Sequence, residues 1–419
     1  MKPSRWILPA LLALCVAQPA LAATVIRGPY LQMGSDDFVV VRWRTELAVP
    51  SEVQFGVVEG VLDQLVSDAT PKTEHEILVD GLDPDTRYWY AISDGSTVMT
   101  GGDADTWFRT SPATGTPRPM RIWVLGDSGL QGPDQLAVRD AYLAATGDRA
   151  TDLVLMLGDN AYADGTDLEH QYELFIPYAE VLRNAVLWPA RGNHDVIHPG
   201  EDNDYFEFFT LPTGGECGGV ASGTESWFSF DVGNVHFICF DSYQGDLSPP
   251  SAMLDWIAAD LAANELEWTI AFTHYSPYTK GSHDSDLQWA SIQLREQFVP
   301  VLEAGGVDLV LTGHSHGYER SYLIDGHYGD STTFTSSHQV DAGDGDPLGD
   351  GEYFKPTRAP APHEGTVYCV AGSASRTNTG VFGHPAMVTG GEILGSVALE
   401  IDGNVLTAEF ITSTGEVWD

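Results

Sequence analysis

The chain of 419 residues carries 60 acidic and 20 basic residues, which give it a formal net charge of −40 at pH 7. Such a negative field opposes binding to nucleic acids and to anionic membrane surfaces. It also opposes phosphate esters, so a site for such substrates needs a local positive charge such as bound metal ions.

The first 22 residues have the three parts of a secretory signal peptide. Lys2 and Arg5 come first, an apolar run follows at residues 6–17, and small residues at positions 20–22 form a cleavage site. The apolar run is shorter than the roughly 20 residues that a membrane-spanning helix needs. We therefore expect cleavage before Ala23 and a secreted or periplasmic protein without a membrane anchor.

Residues 23–112 predict an all-β domain. Short alternating patterns, such as residues 38–43 and 52–56, are separated by turn residues. The segment 81–90 resembles the strand entry of fibronectin type III domains, and Trp43 stands where such sandwiches bury a tryptophan. We expect a fibronectin type III-like β-sandwich that packs against the rest of the chain.

Residues 113–119 are rich in Pro, Thr, Gly and Ala and are interpreted as a linker. From residue 120 to 419, apolar strand-like runs alternate with helical stretches, which predicts an α/β domain. Only Cys217, Cys239 and Cys369 follow the predicted leader. At most one disulfide can therefore form, and buried free thiols are equally ordinary, so the pairing stays open.

Five apolar runs of the second domain each end in a polar cluster. In chain order the clusters are Gly126-Asp127-Ser128-Gly129, Gly158-Asp159-Asn160-Ala161-Tyr162, Gly192-Asn193-His194-Asp195, His274, and Gly313-His314-Ser315-His316. Because open α/β sheets gather their sites at the carboxyl ends of strands, we expect these clusters to meet. Their side chains supply oxygen and imidazole donors in the number that two transition-metal ions require. The sequence has neither the paired cysteines of a zinc finger nor the glycine loops of nucleotide-binding folds.

In this order the clusters resemble the motifs of the calcineurin-like metallophosphoesterase superfamily, which read GDxG, GDxx, GNHD or GNHE, a lone His, and GHxH. The resemblance covers most of residues 120–419 and implies an αββα sandwich as the catalytic domain. Within the superfamily, a Tyr three residues after the second Asp distinguishes the purple acid phosphatases, and Tyr162 stands at that place. The chain is therefore identified as a purple acid phosphatase-like member.

The resemblance implies a dinuclear metal centre. Carried over from the family, the ligands of an Fe(III) are Asp127, Asp159, Tyr162 and His316, and those of a divalent Fe, Zn or Mn ion are Asp159, Asn193, His274 and His314. Asp159 bridges the two ions in this scheme. A physical argument agrees, because the harder trivalent ion receives the phenolate and carboxylates while the softer ion takes two imidazoles and an amide.

Two further histidines match family residues at the substrate. His194 matches a residue that contacts the substrate phosphate and aids the leaving group. His283 resembles a histidine that lines the phosphate pocket, and the alternative for it is an ordinary exposed loop histidine. Arg320 belongs to the family pattern GHxHxYER, and we expect it to form an ion pair that supports the histidine loop.

The expected reaction is the hydrolysis of small phosphate monoesters at acidic pH, in which a hydroxide held by two ions attacks phosphorus in line. A phosphodiesterase on the same fold, with a Mn or Zn pair, is the alternative, and Tyr162 argues against it. A non-catalytic secreted binding protein is a third hypothesis. It predicts degraded metal motifs, whereas every ligand position is intact.

Overall fold

The computed structural model describes residues 23–147, 149–196 and 205–419. The predicted signal peptide, residues 1–22, lies outside the described residues. Within the described ranges no helix has both the length and the apolar composition needed to cross a membrane.

The strands are labelled β1 to β20 in chain order. They are β1 Val25–Gln32, β2 Val39–Gly56, β3 Gln64–Val79, β4 Arg87–Ser93, β5 Val98–Gly101, β6 Trp107–Arg109, β7 Met120–Leu125, β8 Leu153–Leu157, β9 Val186–Ala190, β10 Phe228–Val232, β11 Val235–Cys239, β12 Trp268–Thr273, β13 Leu309–Thr312, β14 Tyr318–Ser321, β15 Leu323–Ile324, β16 Gln339–Asp341, β17 Val367–Ala371, β18 Met387–Gly391, β19 Gly395–Asp402 and β20 Val405–Thr412. Strands β1 to β6 come before residue 112, so the N-terminal part is strand-rich, as predicted. The fibronectin type III-like arrangement itself stays a prediction.

The helices occur only after residue 120 within the described ranges. They are α1 Pro133–Thr146, α2 Asp167–His170, α3 Ala179–Leu182, α4 Tyr205–Phe208, α5 Ala252–Ala263, α6 Trp289–Gln293 and α7 Val299–Ala304, with π-helical turns at Gln171–Phe175 and Leu294–Phe298 and 3₁₀ turns at Ser331–Thr333 and Ser336–His338. Helix α1 starts with Pro133, whose missing N–H costs nothing at a first helical position. Helix α5 is capped by Ser251, whose hydroxyl accepts a hydrogen bond from the Leu254 N–H at 3.1 Å.

The larger sheet joins the N-terminal strands to the α/β part of the chain. Its order is β20-β19-β7-β8-β9-β1-β2-β4-β5, with β3 paired to β2 and β6 paired to β4. Strands β7, β8 and β9 are parallel, and β1 adds to β9 in parallel where Leu31 faces Val186. The buried Tyr30 hydroxyl donates to the Phe208 carbonyl at 2.7 Å across the same boundary. One hydrogen-bonded sheet therefore spans both parts of the chain.

The smaller sheet packs face to face on the larger one. Its order is β10-β11-β12-β13-β17-β14-β18, and β11, β12, β13 and β17 are parallel. Trp188 of β9 stacks on Phe230 of β10 with ring centroids 3.7 Å apart, which places both rings in the core between the sheets. Such a stacked pair contributes about 0.5–1.5 kcal/mol beyond the burial of its area.

Helices cover the outer faces of the two sheets. Tyr142 of α1 stacks on Trp123 of β7 at 4.1 Å. On the other side, Ile257 of α5 and Leu302 of α7 share a hydrophobic core with Val310 of β13. The resulting order of layers is helix, sheet, sheet, helix. It confirms the predicted fold class of a strand-rich N-terminal part followed by an αββα sandwich.

The three cysteines are buried free thiols. Cys217, Cys239 and Cys369 form no disulfide with one another, which closes the question that the sequence left open. Burial raises the pKa of each thiol above its ordinary value, so these thiols are inert rather than reactive.

Candidate metal centre

The predicted donors lie in loops that follow five strands. Asp127 follows β7, Asp159 follows β8, Asn193 follows β9, His274 follows β12, and His314 and His316 follow β13. The first three strands belong to the larger sheet and the last two to the smaller sheet. The donors therefore meet where the carboxyl ends of the two sheets come together, as strand-end sites do in open α/β sheets.

The first donor set surrounds the hydroxyl of Tyr162. This oxygen lies 2.9 Å from Oδ2 of Asp159, 3.1 Å from Oδ1 of Asp127 and 3.3 Å from Nε2 of His316. The His316 Nε2 lies 3.2 Å from Oδ1 of Asp127. One oxygen or nitrogen from each of Asp127, Asp159 and His316 falls within 4.8 Å of the others, and all three side chains are buried.

The second donor set uses the other oxygen of Asp159. Nε2 of His274 lies 3.4 Å from Oδ1 of Asp159 and 3.0 Å from Oδ1 of Asn193. The imidazole of His314 lies beside that of His274, with ring centroids 5.0 Å apart. Asp159 thus turns one carboxylate oxygen to each set, which is the position of a bridging ligand.

The histidines are oriented as metal ligands are. Nδ1 of His274 lies 2.9 Å from the Leu157 carbonyl, and Nδ1 of His316 lies 2.8 Å from Oδ1 of Asn378. The His274 ring then donates through Nδ1 and presents Nε2 to its donor set, the arrangement found around metal-bound imidazoles, and the His316 ring likewise turns Nε2 toward Asp127. The spacing of Asp127, Asp159 and His316 therefore fits a metal ion, and the second oxygen of Asp159 brings His274 and Asn193 next to this group.

Close backbone approaches explain the glycines of the motifs. A Cβ on Gly158 would stand 2.7 Å from the His274 ring, one on Gly192 would stand 2.2 Å from the Asp159 nitrogen, and one on Gly313 would stand 2.5 Å from Oδ2 of Asp127. Real Cβ atoms essentially never come this close to other atoms. Any side chain at these three positions would displace a donor.

Three of the donor residues have left-handed backbone conformations. The φ angles are 55° at Asp127, 53° at Asp159 and 65° at His314. Such conformations are uncommon outside glycine and cost roughly 1 kcal/mol or more each, so surrounding contacts must hold them. One such contact is the His314 N–H, which donates to Oδ2 of Asp127 at 2.7 Å.

Asp195 ties two of the loops together beneath the donors. Its Oδ2 accepts hydrogen bonds from the Gly192 N–H at 2.8 Å and from Nδ2 of Asn160 at 2.9 Å, and its Oδ1 accepts from the Asn160 N–H at 2.9 Å. The side chain is fully buried. The sequence contained the signal in the last letter of the GNHD motif, but Asp195 was not assigned a role.

The two carboxylates at the centre differ in their protonation behaviour. Burial raises the pKa of Asp159 above its ordinary value, and the nearby charge of Asp127 adds to this effect. Burial acts the same way on Asp127, but the hydrogen bond and charge of His316 outweigh it, and the pKa of Asp127 is lowered. The pair is therefore unfavourable as two bare charges, and positive charge between them would stabilise both.

The phenol and imidazoles respond to the same buried carboxylates. Burial, followed by the charges of Asp127 and Asp159, raises the pKa of Tyr162 well above its ordinary value. Burial lowers the pKa of His314 well below its ordinary value, so this ring is neutral and able to bind a metal. Burial also acts to lower the pKa of His274, but the two carboxylates outweigh it and raise that pKa. A phenolate at Tyr162 thus requires a strong positive charge next to its oxygen.

The structure places both predicted substrate histidines beside the donors. The ring of His194 lies 4.5 Å from that of Tyr162, and its Nδ1 lies 2.7 Å from the Ala163 carbonyl. The backbone N–H of His194 donates to Oδ1 of Asp159 at 2.8 Å. The ring of His283 stacks on His314 at 3.9 Å. His283 is therefore packed at the centre rather than lying free in a loop.

Two residues at the centre were missed by sequence reasoning. Gln288 places Nε2 2.7 Å from Nδ1 of His283 and 3.0 Å from Nε2 of His314, so it links the two rings. Arg376 lies with its guanidinium carbon 4.5 Å from the centre of the Tyr162 ring. Neither residue belongs to a motif, and no local pattern in the sequence distinguishes them.

Arg320 forms an ion pair, as predicted, and its partner is Asp419. Its Nε and Nη2 lie 2.6 and 2.7 Å from the two carboxylate oxygens of Asp419. The Tyr318 hydroxyl donates to the same carboxylate at 2.7 Å. Both residues come from β14, directly after the loop that carries His314 and His316. The pair therefore braces that loop and does not face the donors.

Several known proteins are similar to this chain in sequence. The family model described as calcineurin-like phosphoesterase matches residues 120–318. The chain is 26% identical over 306 residues to a phosphoenolpyruvate phosphatase of Allium cepa, covering 68% of this chain and 60% of that protein. It is 26% identical over 314 residues to purple acid phosphatase 18 of Arabidopsis thaliana, covering 70% of this chain and 66% of that protein. These matches span less than two thirds of the relatives' own length.

Two solved structures share the fold. The purple acid phosphatase PPD1 from yellow lupin (Lupinus luteus) seeds superposes with a TM-score of 0.72 at 18% identity, covering 94% of this chain and 74% of that chain. A structure of PhoD superposes with a TM-score of 0.64 at 14% identity, covering 95% of this chain and 89% of that chain. At these identities the likeness concerns the fold. Together with the family match, it confirms the predicted resemblance to the metallophosphoesterases.

Proposed function

We propose that this chain, whose residues 120–318 match the calcineurin-like phosphoesterase model, is a dinuclear metal-dependent acid phosphatase that hydrolyses small phosphate monoesters. The observation that carries the proposal is the pair of donor sets that share Asp159. Carboxylate, phenol, amide and imidazole donors around one bridging carboxylate suit two adjacent transition-metal ions. The phosphatases among its sequence relatives support the same reaction class.

We assign Fe(III) to the first donor set, which consists of Asp127, Asp159, Tyr162 and His316, and a divalent Fe, Zn or Mn ion to the second, which consists of Asp159, Asn193, His274 and His314. The bound ions would supply a water of lowered pKa as the nucleophile and positive charge for the phosphoryl oxygens. The hard oxygen donors of the first set, two carboxylates and the Tyr162 phenol, support the harder trivalent ion there.

His194 is proposed as the proton donor to the leaving group. Donation from its Nδ1 to the Ala163 carbonyl fixes the ring and leaves Nε2 to hold the proton. The hydrogen bond from the backbone N–H of His194 to Oδ1 of Asp159 keeps this residue next to the bridging carboxylate. His283 is proposed to contact the phosphate, with its ring held between His314 and Gln288.

We also propose a domain organisation and a cellular location for the chain. Residues 1–22 would direct export to a periplasm or the cell exterior, 23–112 would form the sandwich, 113–119 the linker and 120–419 the catalytic domain. The three-part pattern of the first 22 residues supports export. The acidic surface would keep the exported protein soluble, and the metal ions would offset its repulsion of phosphorylated substrates.

The test combines a visible spectrum, metal analysis and turnover of p-nitrophenyl phosphate at acidic pH for the wild type and Tyr162→Phe. We expect a broad visible band with bound iron in the wild type, and loss of the band in the variant. Tyr275→Phe is the matched control, because its ring lies 4.0 Å from that of His314 but contacts neither Asp127 nor Asp159 within the described residues. That control should keep the band.

The other outcomes separate the rival hypotheses. A colourless protein with two other metals, active on diesters at neutral pH, would replace the phosphatase by the phosphodiesterase. A protein that binds no metal and turns over no phosphate ester would support a non-catalytic binding protein instead.

A further inference from the structure

One basic side chain lies against the first donor set of this strongly acidic protein. Nε of Arg376 lies 3.1 Å from Nδ1 of His316, and Nη2 lies 3.2 Å from Nε2 of the same ring. The guanidinium carbon lies 4.5 Å from the centre of the Tyr162 ring. Arg376 therefore lies over the ring of Tyr162 and contacts both ring nitrogens of His316, two residues of the first donor set.

The loop that carries Arg376 is fixed to the centre on both sides of this residue. The Ala374 N–H donates to the Gly126 carbonyl at 3.1 Å, and the Ser375 hydroxyl donates to the Asp127 carbonyl. Beyond Arg376, Oδ1 of Asn378 lies 2.8 Å from Nδ1 of His316. The guanidinium position is thus set by the same loops that set the donors.

The charge of Arg376 has no counter-ion among the described residues, since no carboxylate oxygen there lies within 4.0 Å of its guanidinium. The nearby Lys280 shows the usual situation in this protein. Its ammonium contacts Asp284 and lies 2.8 Å from Oδ2 of Asp286. Arg376 is therefore a cation available to an anion that arrives from outside.

The present contact of Nη2 with His316 also cannot persist in the metal-loaded protein. An N–H donor and a metal ion would compete for the single lone pair on Nε2. An ion bound there would leave the Nη2 N–H groups of Arg376 in need of a new acceptor. Phosphate oxygens match the planar fork of these donors.

We propose that Arg376 binds the phosphoryl group of the substrate and selects monoester dianions over diesters. This inference rests on the proposed hydrolysis of phosphate esters. A monoester carries one more unesterified oxygen and one more negative charge than a diester, so a fixed cation beside the metal ions favours it. Arg376 would therefore determine whether the centre prefers monoesters or diesters.

The test uses inorganic phosphate as the probe on the metal-loaded full chain. Isothermal titration calorimetry should show phosphate binding to Arg376→Gln weakened on the order of tenfold or more, because a charge-assisted hydrogen bond is lost. In turnover, kcat/KM should fall more for p-nitrophenyl phosphate than for bis(p-nitrophenyl) phosphate. Arg376→Lys, which keeps the charge and loses the fork, should lie between the wild type and Arg376→Gln.

Arg87→Gln is the matched control. Arg87 also lies over an aromatic ring, 4.0 Å from the centre of Trp107, but it belongs to strand β4 of the N-terminal part. The substitution Arg87→Gln removes the same charge far from the centre and should leave phosphate affinity unchanged. Metal content and melting temperature of each variant show whether the centre is intact, and Arg376→Lys replaces Arg376→Gln if the latter fails to fold.

Two results would overturn the proposal. One is wild-type phosphate affinity in Arg376→Gln with both metals bound, and the other is an equal loss of kcat/KM for monoester and diester. A wild type that turns over no phosphate ester would instead overturn the proposed function, which separates the two failures.

Discussion

Replacement of Asp195 by Asn tests whether the buried carboxylate beneath the centre holds the divalent site. In the wild type its two oxygens accept three hydrogen bonds, two from Asn160 and one from Gly192. An amide of the same shape keeps one acceptor oxygen. If that oxygen takes the place of Oδ2, two bonds persist and the Asn160 N–H faces an NH₂ group.

At least one buried donor is then left without an acceptor, which costs about 1–3 kcal/mol. We expect the free energy of unfolding to fall by about that amount. Because the Gly192 loop carries Asn193, affinity for the second, divalent ion should fall roughly 10- to 100-fold, as is usual when a support of a ligand is removed. Asn160 stands in the loop that carries Asp159 and Tyr162 of the first donor set, so the visible band should shift or weaken as well.

The assay is urea denaturation together with calorimetric titration of the divalent ion into iron-loaded protein. Asp164→Asn is the control, since it makes the same chemical change on an exposed side chain of a neighbouring loop. Its free energy of unfolding should stay within about 0.5 kcal/mol of the wild type. Wild-type stability and wild-type divalent affinity in Asp195→Asn would refute the assigned role of Asp195.

Two further predictions follow from close approach and from charge. Gly192→Ala should abolish both binding of the divalent ion and turnover, because the new Cβ would stand 2.2 Å from the Asp159 nitrogen. A metal analysis that finds both ions retained in this variant would contradict the prediction. The imidazole of His236 lies between two carboxylates, 2.7 Å from Asp231 and 2.8 Å from Asp260. Burial alone would lower the pKa of His236, but the two carboxylates raise it to about 9. This folded-state pKa exceeds the usual value near 6.5. The charged His236 therefore stabilises the folded state fully below about pH 6.5, and this stabilisation is lost as pH rises through 9. His236→Asn should flatten the fall in unfolding free energy over that window, and an unchanged pH profile would exclude the role.

The sequence predicted those parts of the centre that local pattern encodes. Asp127, Asp159, His274 and His314 each follow an apolar run, and that position alone places them at the carboxyl end of a strand. Glycine before the donor is equally local, because the close approach that requires it recurs at four of the five strand ends. The α/β class followed from the alternation of strands and helices, whereas the αββα layering was implied by the family resemblance.

The remaining features depend on contacts between distant segments. Arg376 follows β17 in a stretch of small polar residues, and only the folded chain brings it onto Tyr162. Gln288 reaches His314 from the other side of the centre for the same reason. The free state of Cys217 depends on burial in the assembled core, which the spacing of cysteines does not encode.

The pairing of Leu31 with Val186 has a consequence for how the chain is made. Val186 stands 155 positions after Leu31, so at roughly 5–20 residues per second a ribosome needs on the order of 10–30 s to deliver the partner of β1. Through that interval the N-terminal strands expose an unpaired edge of backbone N–H and C=O groups, which is a template for mispairing with other chains. Strand β9 therefore closes this edge of the nascent protein as it delivers Asn193 and His194 to the centre.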